Sequence, residues 1–253
     1  MVWSRGSTAP EHFLIDGTIA DGTARDTSLL IDFLPAYVFP TNDHKITSHL
    51  VLGISLGGHA AWHCLLQDPR IIAGVVVIGC PDYVRLMTDR ARLSKLATYT
   101  SSDPPGRDFL GSADFPKALN EAVEKYDPAG LLLGELEADL GKQRPAEPSE
   151  AEKTRLRPVM RDALGGKRIL CLSGGADKLV PYKCGEPFLQ WLKAALRKDG
   201  GWFSDRGTVL EDVVDAEAGH VYSEKMKVEA VRFISETLAE QGSAVAGSRT
   251  SKI

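Results

Sequence analysis

Hydrophobic residues recur at helical spacing near the start of the chain. Residues 1–20 follow no regular pattern, whereas an apolar stripe lies between Thr23 and Val38, and Pro40 marks its end. The stripe consists of Leu29, Leu30, Phe33 and Leu34. This spacing predicts an amphipathic helix ahead of the first strand.

The next segments alternate between strand and helix patterns. The second half of residues 45–54 predicts a buried strand, and the small, apolar residues 57–66 predict a helix. Residues 71–78 form a continuous apolar run rich in β-branched side chains, which is typical of a strand covered on both faces. The order helix, strand, helix, strand favours a parallel α/β sheet.

The middle of the chain, from about Asp82 to Gly166, shows no strand pattern and contains proline-rich breakers. Residues 131–133 and the charged run 150–164 predict helices, so we expect a helical insertion here. The sheet pattern then resumes, with strands predicted at 168–173 and 208–214 and helices at 187–197 and 222–238.

The predicted fold class is therefore α/β, a mainly parallel sheet flanked by helices. We expect one domain over residues 1–241 with a helical cap insertion at about 82–166. Residues 242–253 are rich in Ser and Gly and predict a disordered tail.

Composition and charge narrow the function classes. The 253 residues carry 30 Lys and Arg against 34 Asp and Glu, a net charge of −4, and 43% of them are hydrophobic. Such a chain is not expected to be disordered, and its net negative charge argues against a nucleic-acid binder, which normally has a basic footprint. No apolar run reaches the roughly 18–20 residues that span a membrane. The four cysteines form no metal-binding or disulfide pattern, and the absence of a signal-peptide pattern predicts a cytoplasmic protein.

One sequence motif indicates a catalytic function. The segment Gly53-Ile54-Ser55-Leu56-Gly57 matches G-x-S-x-G and lies between a predicted strand and a predicted helix, as a nucleophile elbow requires. We expect both glycines of the motif to lack side chains because the turn is tight. The Leu56 N–H, at the start of the helix, would stabilise an oxyanion.

A serine nucleophile needs a base, and six histidines are available. In this architecture the residues follow in the order serine, acid, histidine. His220 fits because it lies in a loop after a late strand, where Gly219 would let the chain turn. His59 and His63 lie within the helix after Ser55, and we expect them to be packing or surface residues.

The acid should follow a strand directly. Asp177 does so, after a glycine turn, and would orient the imidazole. Asp82, which follows the preceding strand, is the alternative. Asp212 and Asp215 lie in or beside the last strand and fit less well.

The segments GISLGGH, GGADKLVP and AGH resemble the α/β-hydrolase superfamily. The residues around them, from about Thr23 to Leu238, are similar to fungal esterase-like or prolyl-oligopeptidase-like serine hydrolases. The resemblance implies that Ser55, Asp177 and His220 form a catalytic triad for acyl transfer to water. It also implies that neither a metal nor an organic cofactor is needed.

The chain departs from the family pattern before the elbow. Only 48 residues precede His49, so the fold is expected to be N-terminally shortened. The segment that supplies the second oxyanion donor in the family has no counterpart, since no His-Gly motif precedes Ser55. The strand Leu50–Ile54 would then be an apolar sheet edge, which predicts a homodimer through that edge.

The leading hypothesis is a carboxylesterase-like serine hydrolase that cleaves a small-molecule ester through an acyl-enzyme on Ser55. The same triad also suits an acyltransferase, a lactonase or a peptidase. A non-catalytic α/β-hydrolase-like binding protein is the alternative from another class. The aromatic residues of the insertion that are candidates for lining the pocket are Tyr83, Tyr99, Phe109, Phe115 and Tyr126.

Overall fold

The core of the protein is a parallel sheet. A computed structural model describes residues 9–134, 140 and 147–250, with side chains described over 20–134, 140 and 147–242. Within these residues the strands β1 (His49–Ile54), β2 (Ile71–Val77), β3 (Arg168–Gly174) and β4 (Val209–Asp215) pair in that order, all parallel. Because the strands are parallel, the loops that follow them meet at one edge of the sheet.

Helices cover both faces of the sheet. They are α1 (Ala9–Val38), α2 (Leu56–Gln67), α3 (Tyr83–Leu93), α4 (Ala97–Thr100), α5 (Lys117–Tyr126), α6 (Pro128–Leu133), α7 (Glu150–Leu164), α8 (Tyr182–Leu196) and α9 (Glu224–Thr250). Val75 and Val77 of β2 pack with side chains of α3, α5 and α9, whereas Val76 packs with those of α2, α7 and α8. This alternation explains why β2 reads as an unbroken apolar run.

The insertion between β2 and β3 is helical. Its described residues form α3 to α7 and contain no strand. Asp127 caps α6 by accepting the N–H groups of Ala129 and Gly130, and Ser149 and Glu152 form a capping box at the start of α7. The predicted fold class, a mainly parallel α/β sheet with a helical insertion, is confirmed.

The two elements nearest the N-terminus differ from the prediction. The helix α1 starts at Ala9, so the expectation of an irregular stretch over residues 1–20 is wrong for its described part. The residues of its apolar stripe, Leu29, Leu30, Phe33 and Leu34, are exposed. The smaller Ala20 and Ala24 are buried instead. Helical spacing identifies an apolar face but not whether a partner covers it.

The strand β1 is an edge strand and is not buried as predicted. Leu52 and Ile54 are each 44% exposed. Among the described residues, no strand pairs with its outer edge. A homodimer through this edge stays a prediction.

The C-terminal helix α9 includes residues 242–250 of the predicted tail, and 251–253 lie outside the described residues. None of the described helices is both long and apolar enough to cross a membrane.

Candidate active site

Ser55 occupies the turn between β1 and α2. Its backbone has φ 59° and ψ −117°, a conformation that is unfavourable for a residue with a side chain. The turn is held by the hydrogen bond from the Ser55 N–H to the Val77 carbonyl, at 2.9 Å. The Ser55 carbonyl in turn accepts the N–H groups of Gly58 and His59. Neighbouring strand and helix therefore hold the strained residue in place.

Two glycines permit this turn, namely Gly53, which belongs to the G-x-S-x-G motif, and Gly58, which follows it. A Cβ on Gly53 would lie 1.8 Å from the Gly57 carbonyl oxygen, so Gly53 must lack a side chain as predicted. A Cβ on Gly57 would meet nothing within 4 Å, so the same expectation for Gly57 is wrong. The close approach is at Gly58, where a Cβ would lie 2.7 Å from the Val77 oxygen and 3.0 Å from the Gly79 Cα.

The structure brings the three predicted side chains together. His220 Nε2 lies 2.8 Å from Ser55 Oγ, and His220 Nδ1 lies 2.8 Å from Asp177 Oδ2. The His220 side chain is 28% exposed, whereas the Asp177 side chain is fully buried. A buried acid, a partly exposed base and an accessible hydroxyl thus form one hydrogen-bonded row.

The loop that carries His220 depends on glycines of another strand. A Cβ on Gly174 would lie 2.5 Å from the carbonyl oxygens of both Ala218 and Gly219, and a Cβ on Gly175 would lie 2.8 Å from the Ala216 Cα. Gly219 itself has open space and no positive φ, so the predicted need for it in the turn is not supported. The end of β3 is therefore what lets the histidine loop approach the sheet.

Asp177 is held rigidly. Its Oδ1 accepts the N–H groups of Leu179 and Val180 at 2.8 and 3.0 Å, which leaves Oδ2 for His220. The alternative acid, Asp82, caps α3 by accepting the Arg85 N–H.

The other two acids that were weighed also have different partners. Asp212 accepts the Tyr182 hydroxyl and the Lys193 ammonium group, and Asp215 accepts the Ser223 hydroxyl. Of the four acids, Asp177 is the one that the structure pairs with His220.

The Leu56 N–H is the expected oxyanion donor. Leu56 is the first residue of α2, so its N–H has no acceptor within the helix and lies at the positive end of the helix dipole. The second donor that this architecture takes from an earlier loop has no counterpart in the described part of the chain, since no described strand precedes β1.

A cavity of about 210 Å³ lies between α2 and residues of the helical insertion. His59 and His63 line it together with Tyr83, Tyr126 and Asp127. The one signal in the sequence for the two histidines was their spacing, because residues 59 and 63 share one face of a helix.

Two of the five aromatic residues proposed for the pocket line this cavity, namely Tyr83 and Tyr126. Phe109 and Phe115 are fully buried core residues, and Tyr99 packs against the same core.

Burial sets the charge of the groups in the cavity. It lowers the pKa of His59 to about 4 and that of His63 to about 4, so both imidazoles are neutral at pH 7. Burial, and then the nearby Asp82, raises the pKa of Asp127 well above its ordinary value. In the part of the chain that is described, no cluster of three or more His, Cys, Asp or Glu side chains could hold a metal ion.

Comparisons with known proteins give structural likeness only. No protein-family model matches the chain, and no curated protein sequence matches it. Its structure is similar to that of Arabidopsis thaliana SOBER1 (14% identity, TM-score 0.40, covering 85% of this chain and 63% of that one). It is also similar to the Pyrococcus furiosus esterase Pf2001 (16% identity, TM-score 0.43, covering 83% of this chain and 60% of that one). A third similar structure is Pyrococcus horikoshii acylaminoacyl peptidase (16% identity, TM-score 0.39, covering 76% of this chain and 22% of that one).

This chain therefore spans less than two thirds of the length of each of these proteins. The described elements themselves have the order serine, acid, histidine after successive parallel strands, with the serine on a strained strand-to-helix turn. That is the arrangement of the α/β-hydrolase fold.

Proposed function

We propose that the protein is a serine hydrolase that cleaves a small-molecule ester through an acyl-enzyme on Ser55. One observation carries the proposal, namely the continuous hydrogen-bonded row from Ser55 Oγ through His220 to Asp177, with both distances 2.8 Å. A serine hydroxyl is a weak nucleophile unless a base lies within hydrogen-bonding reach, and here one does.

Each residue has a distinct role in the proposed reaction. His220 Nε2 takes the proton of Ser55 as its Oγ attacks the ester carbonyl carbon, and Asp177 stabilises the resulting imidazolium. The Leu56 N–H donates to the carbonyl oxygen as it becomes negatively charged. His220 then protonates the departing alcohol. A water molecule deprotonated by His220 releases the acid and regenerates Ser55.

The oxyanion site sets the expected rate. With the Leu56 N–H as the donor identified among the described residues, we expect a slow enzyme, because removal of a single donor from such a site costs about 10²–10³ in kcat. A faster enzyme would require a second donor from residues outside the described part of the chain or from the substrate.

Labelling with a fluorophosphonate tests the proposal, with the modified residue located by peptide mass spectrometry. We expect a covalent adduct on Ser55 that is absent in Ser55→Ala and slowed in His220→Gln. Ser101→Ala is the matched control, since Ser101 is an exposed serine whose hydroxyl donates to the Ala97 carbonyl of the preceding helix. A folded protein that forms no adduct would overturn the proposal and favour a non-catalytic binding protein.

A second measurement separates hydrolysis from acyl transfer. The acyl-enzyme formed from a simple ester is allowed to partition between water and an added alcohol or amine. We expect the free acid as the main product. A product formed mainly with the added acceptor would identify an acyltransferase that uses the same three residues.

A further inference from the structure

The cavity begins one helical turn from the proposed nucleophile. His59 and His63 lie four residues apart on one face of α2, at a rise of about 6 Å, and Ser55 is the N-cap residue that precedes this helix. The His59 N–H also donates to the Ser55 carbonyl at 3.1 Å. His59, which lines the cavity, therefore lies in the first turn of the helix that follows Ser55.

The size and lining of the cavity limit what fits. Most of the wall is apolar or aromatic and includes Leu119, Ala122, Val123 and Tyr126. Its volume of about 210 Å³ exceeds the roughly 150 Å³ of an apolar protein cavity that binds benzene. The space therefore suits a group the size of a substituted aromatic ring.

Two imidazoles, those of His59 and His63, contribute ring nitrogen atoms to this wall. His59 Nδ1 lies 3.0 Å from the Cys80 carbonyl oxygen. A carbonyl oxygen only accepts hydrogen bonds, so Nδ1 carries the proton and Nε2 of the neutral ring is an acceptor. His63 is 8% exposed, and its Nδ1 has no hydrogen-bond partner among the described residues. An unpaired polar group at this depth is unfavourable unless a ligand or water pairs with it.

The acidic groups of the wall already have partners. Asp21 accepts from Gln67 and forms an ion pair with Arg25. Asp127 accepts the backbone N–H groups of Tyr83, Ala129 and Gly130.

No Lys or Arg is among the described residues that line the cavity. A carboxylate or phosphate would therefore meet acids and neutral imidazoles, and would lose its hydration without gaining a cation.

We propose that this cavity is a specificity subsite that takes an uncharged, ring-sized group of the substrate and binds its hydroxyl or amide N–H through the imidazoles of His59 and His63. The assignment to a substrate rests on the proposed hydrolase function. The recognition chemistry does not, because the cavity and its imidazoles exist whether or not Ser55 reacts.

Binding of phenol tests the recognition chemistry without any turnover. Phenol presents a ring and a hydroxyl donor, and anisole presents a similar ring without the donor. By calorimetry we expect phenol to bind the wild-type protein about tenfold more tightly than anisole, the effect of one buried hydrogen bond. In His63→Leu this preference should disappear while anisole binding persists, which also shows that the cavity is still formed.

Matched esters test the role in substrate selection. Methyl phenylacetate is compared with its ring-hydroxylated isomers, and benzyl acetate with hydroxybenzyl acetates, so that the two series distinguish the acyl side from the alcohol side. We expect a hydroxylated isomer in one series to have a kcat/KM about tenfold higher than its parent, and the ratio to fall to about one in His63→Leu. His44→Leu, at an exposed histidine outside the cavity, should retain the ratio.

The outcomes separate the two proposals. If Ser55 forms the fluorophosphonate adduct but phenol shows no preference over anisole, the subsite proposal fails and the hydrolase stands. If phenol is preferred in a His63-dependent way but Ser55 does not react, the cavity is a binding site and the hydrolase fails. A ring-carboxylated ester that outperforms the hydroxylated isomers would also overturn the subsite proposal.

Discussion

Exchanging one of two adjacent glycines for alanine tests the packing of the elbow directly. Gly57 and Gly58 both lie in the first turn of α2. Alanine is favoured over glycine in a helix by about 1 kcal/mol, so backbone preference alone would make both substitutions stabilising. What distinguishes them is the space that a methyl group would enter.

From the structure we expect the two substitutions to change the free energy of unfolding in opposite directions. At Gly57 the new Cβ meets nothing within 4 Å, so we expect Gly57→Ala to stabilise the fold by up to about 1 kcal/mol. At Gly58 it would lie 2.7 Å from the Val77 oxygen, and that backbone atom cannot rotate away. Overpacking of this kind costs about 1–3 kcal/mol, and contact with backbone favours the upper end. After the helix preference is included, Gly58→Ala should be destabilising by about 2 kcal/mol.

Urea unfolding, followed by circular dichroism, measures the difference. The two variants should differ by about 3 kcal/mol, which separates their midpoints by about 1 M or more if the slope is about 2–3 kcal/mol per M. Variants that unfold within about 0.5 kcal/mol of each other would refute the close approach of α2 to β2 at Gly58. The opposite order, with Gly57→Ala the less stable, would restore the expectation drawn from the G-x-S-x-G motif.

Three further predictions concern the histidines and their supports. Asp177→Asn should lower kcat for ester hydrolysis by about 10⁴, whereas Asp82→Asn should leave kcat largely unchanged. A large loss of kcat in both variants, or in neither, would contradict the assignment of Asp177 as the acid that pairs with His220. Gly174→Ala should lower kcat by displacing the loop of His220, while Gly219→Ala, which has open space, serves as its control in the same assay. Because burial lowers the pKa of His63 from 6.5 to about 4, the unfolded chain binds more protons between these values. The contribution of the neutral His63 side chain to the free energy of unfolding is thus complete above about pH 6.5 and is lost as the pH falls towards 4. Between pH 7 and 5 the wild-type protein should lose about 2 kcal/mol more stability than His63→Gln, and equal losses in urea titrations would disprove the burial of a neutral imidazole.

Local patterns predicted the sheet well where a strand is buried on both faces. The β-branched run at 71–78 and the short run at 168–173 correspond to β2 and β3, because a strand between two helical layers must be apolar at every position. Local patterns failed for β1. Its sequence is as apolar as a central strand, yet Leu52 and Ile54 are exposed, since their burial depends on a neighbour that the described residues do not supply.

The same distinction applies to the candidate site. The motif around Ser55, the glycine turn before Asp177 and the late position of His220 could be identified in the sequence, because each depends on a strand end and the loop that follows it. Their spacing along the chain does not give the distances between them. Those depend on the order of parallel strands and on the approach of the 216–219 loop to Gly174.

The sequence by itself determined the order of elements, the strained turn at Ser55 and the residue types able to serve as nucleophile, acid and base, since these follow from local periodicity and turn chemistry. Only the tertiary structure decided which acid pairs with His220, that Gly58 rather than Gly57 permits the close packing, and that His59 and His63 line a cavity. Each of these depends on atoms far apart in the chain, and local patterns carry no information about which distant surfaces meet.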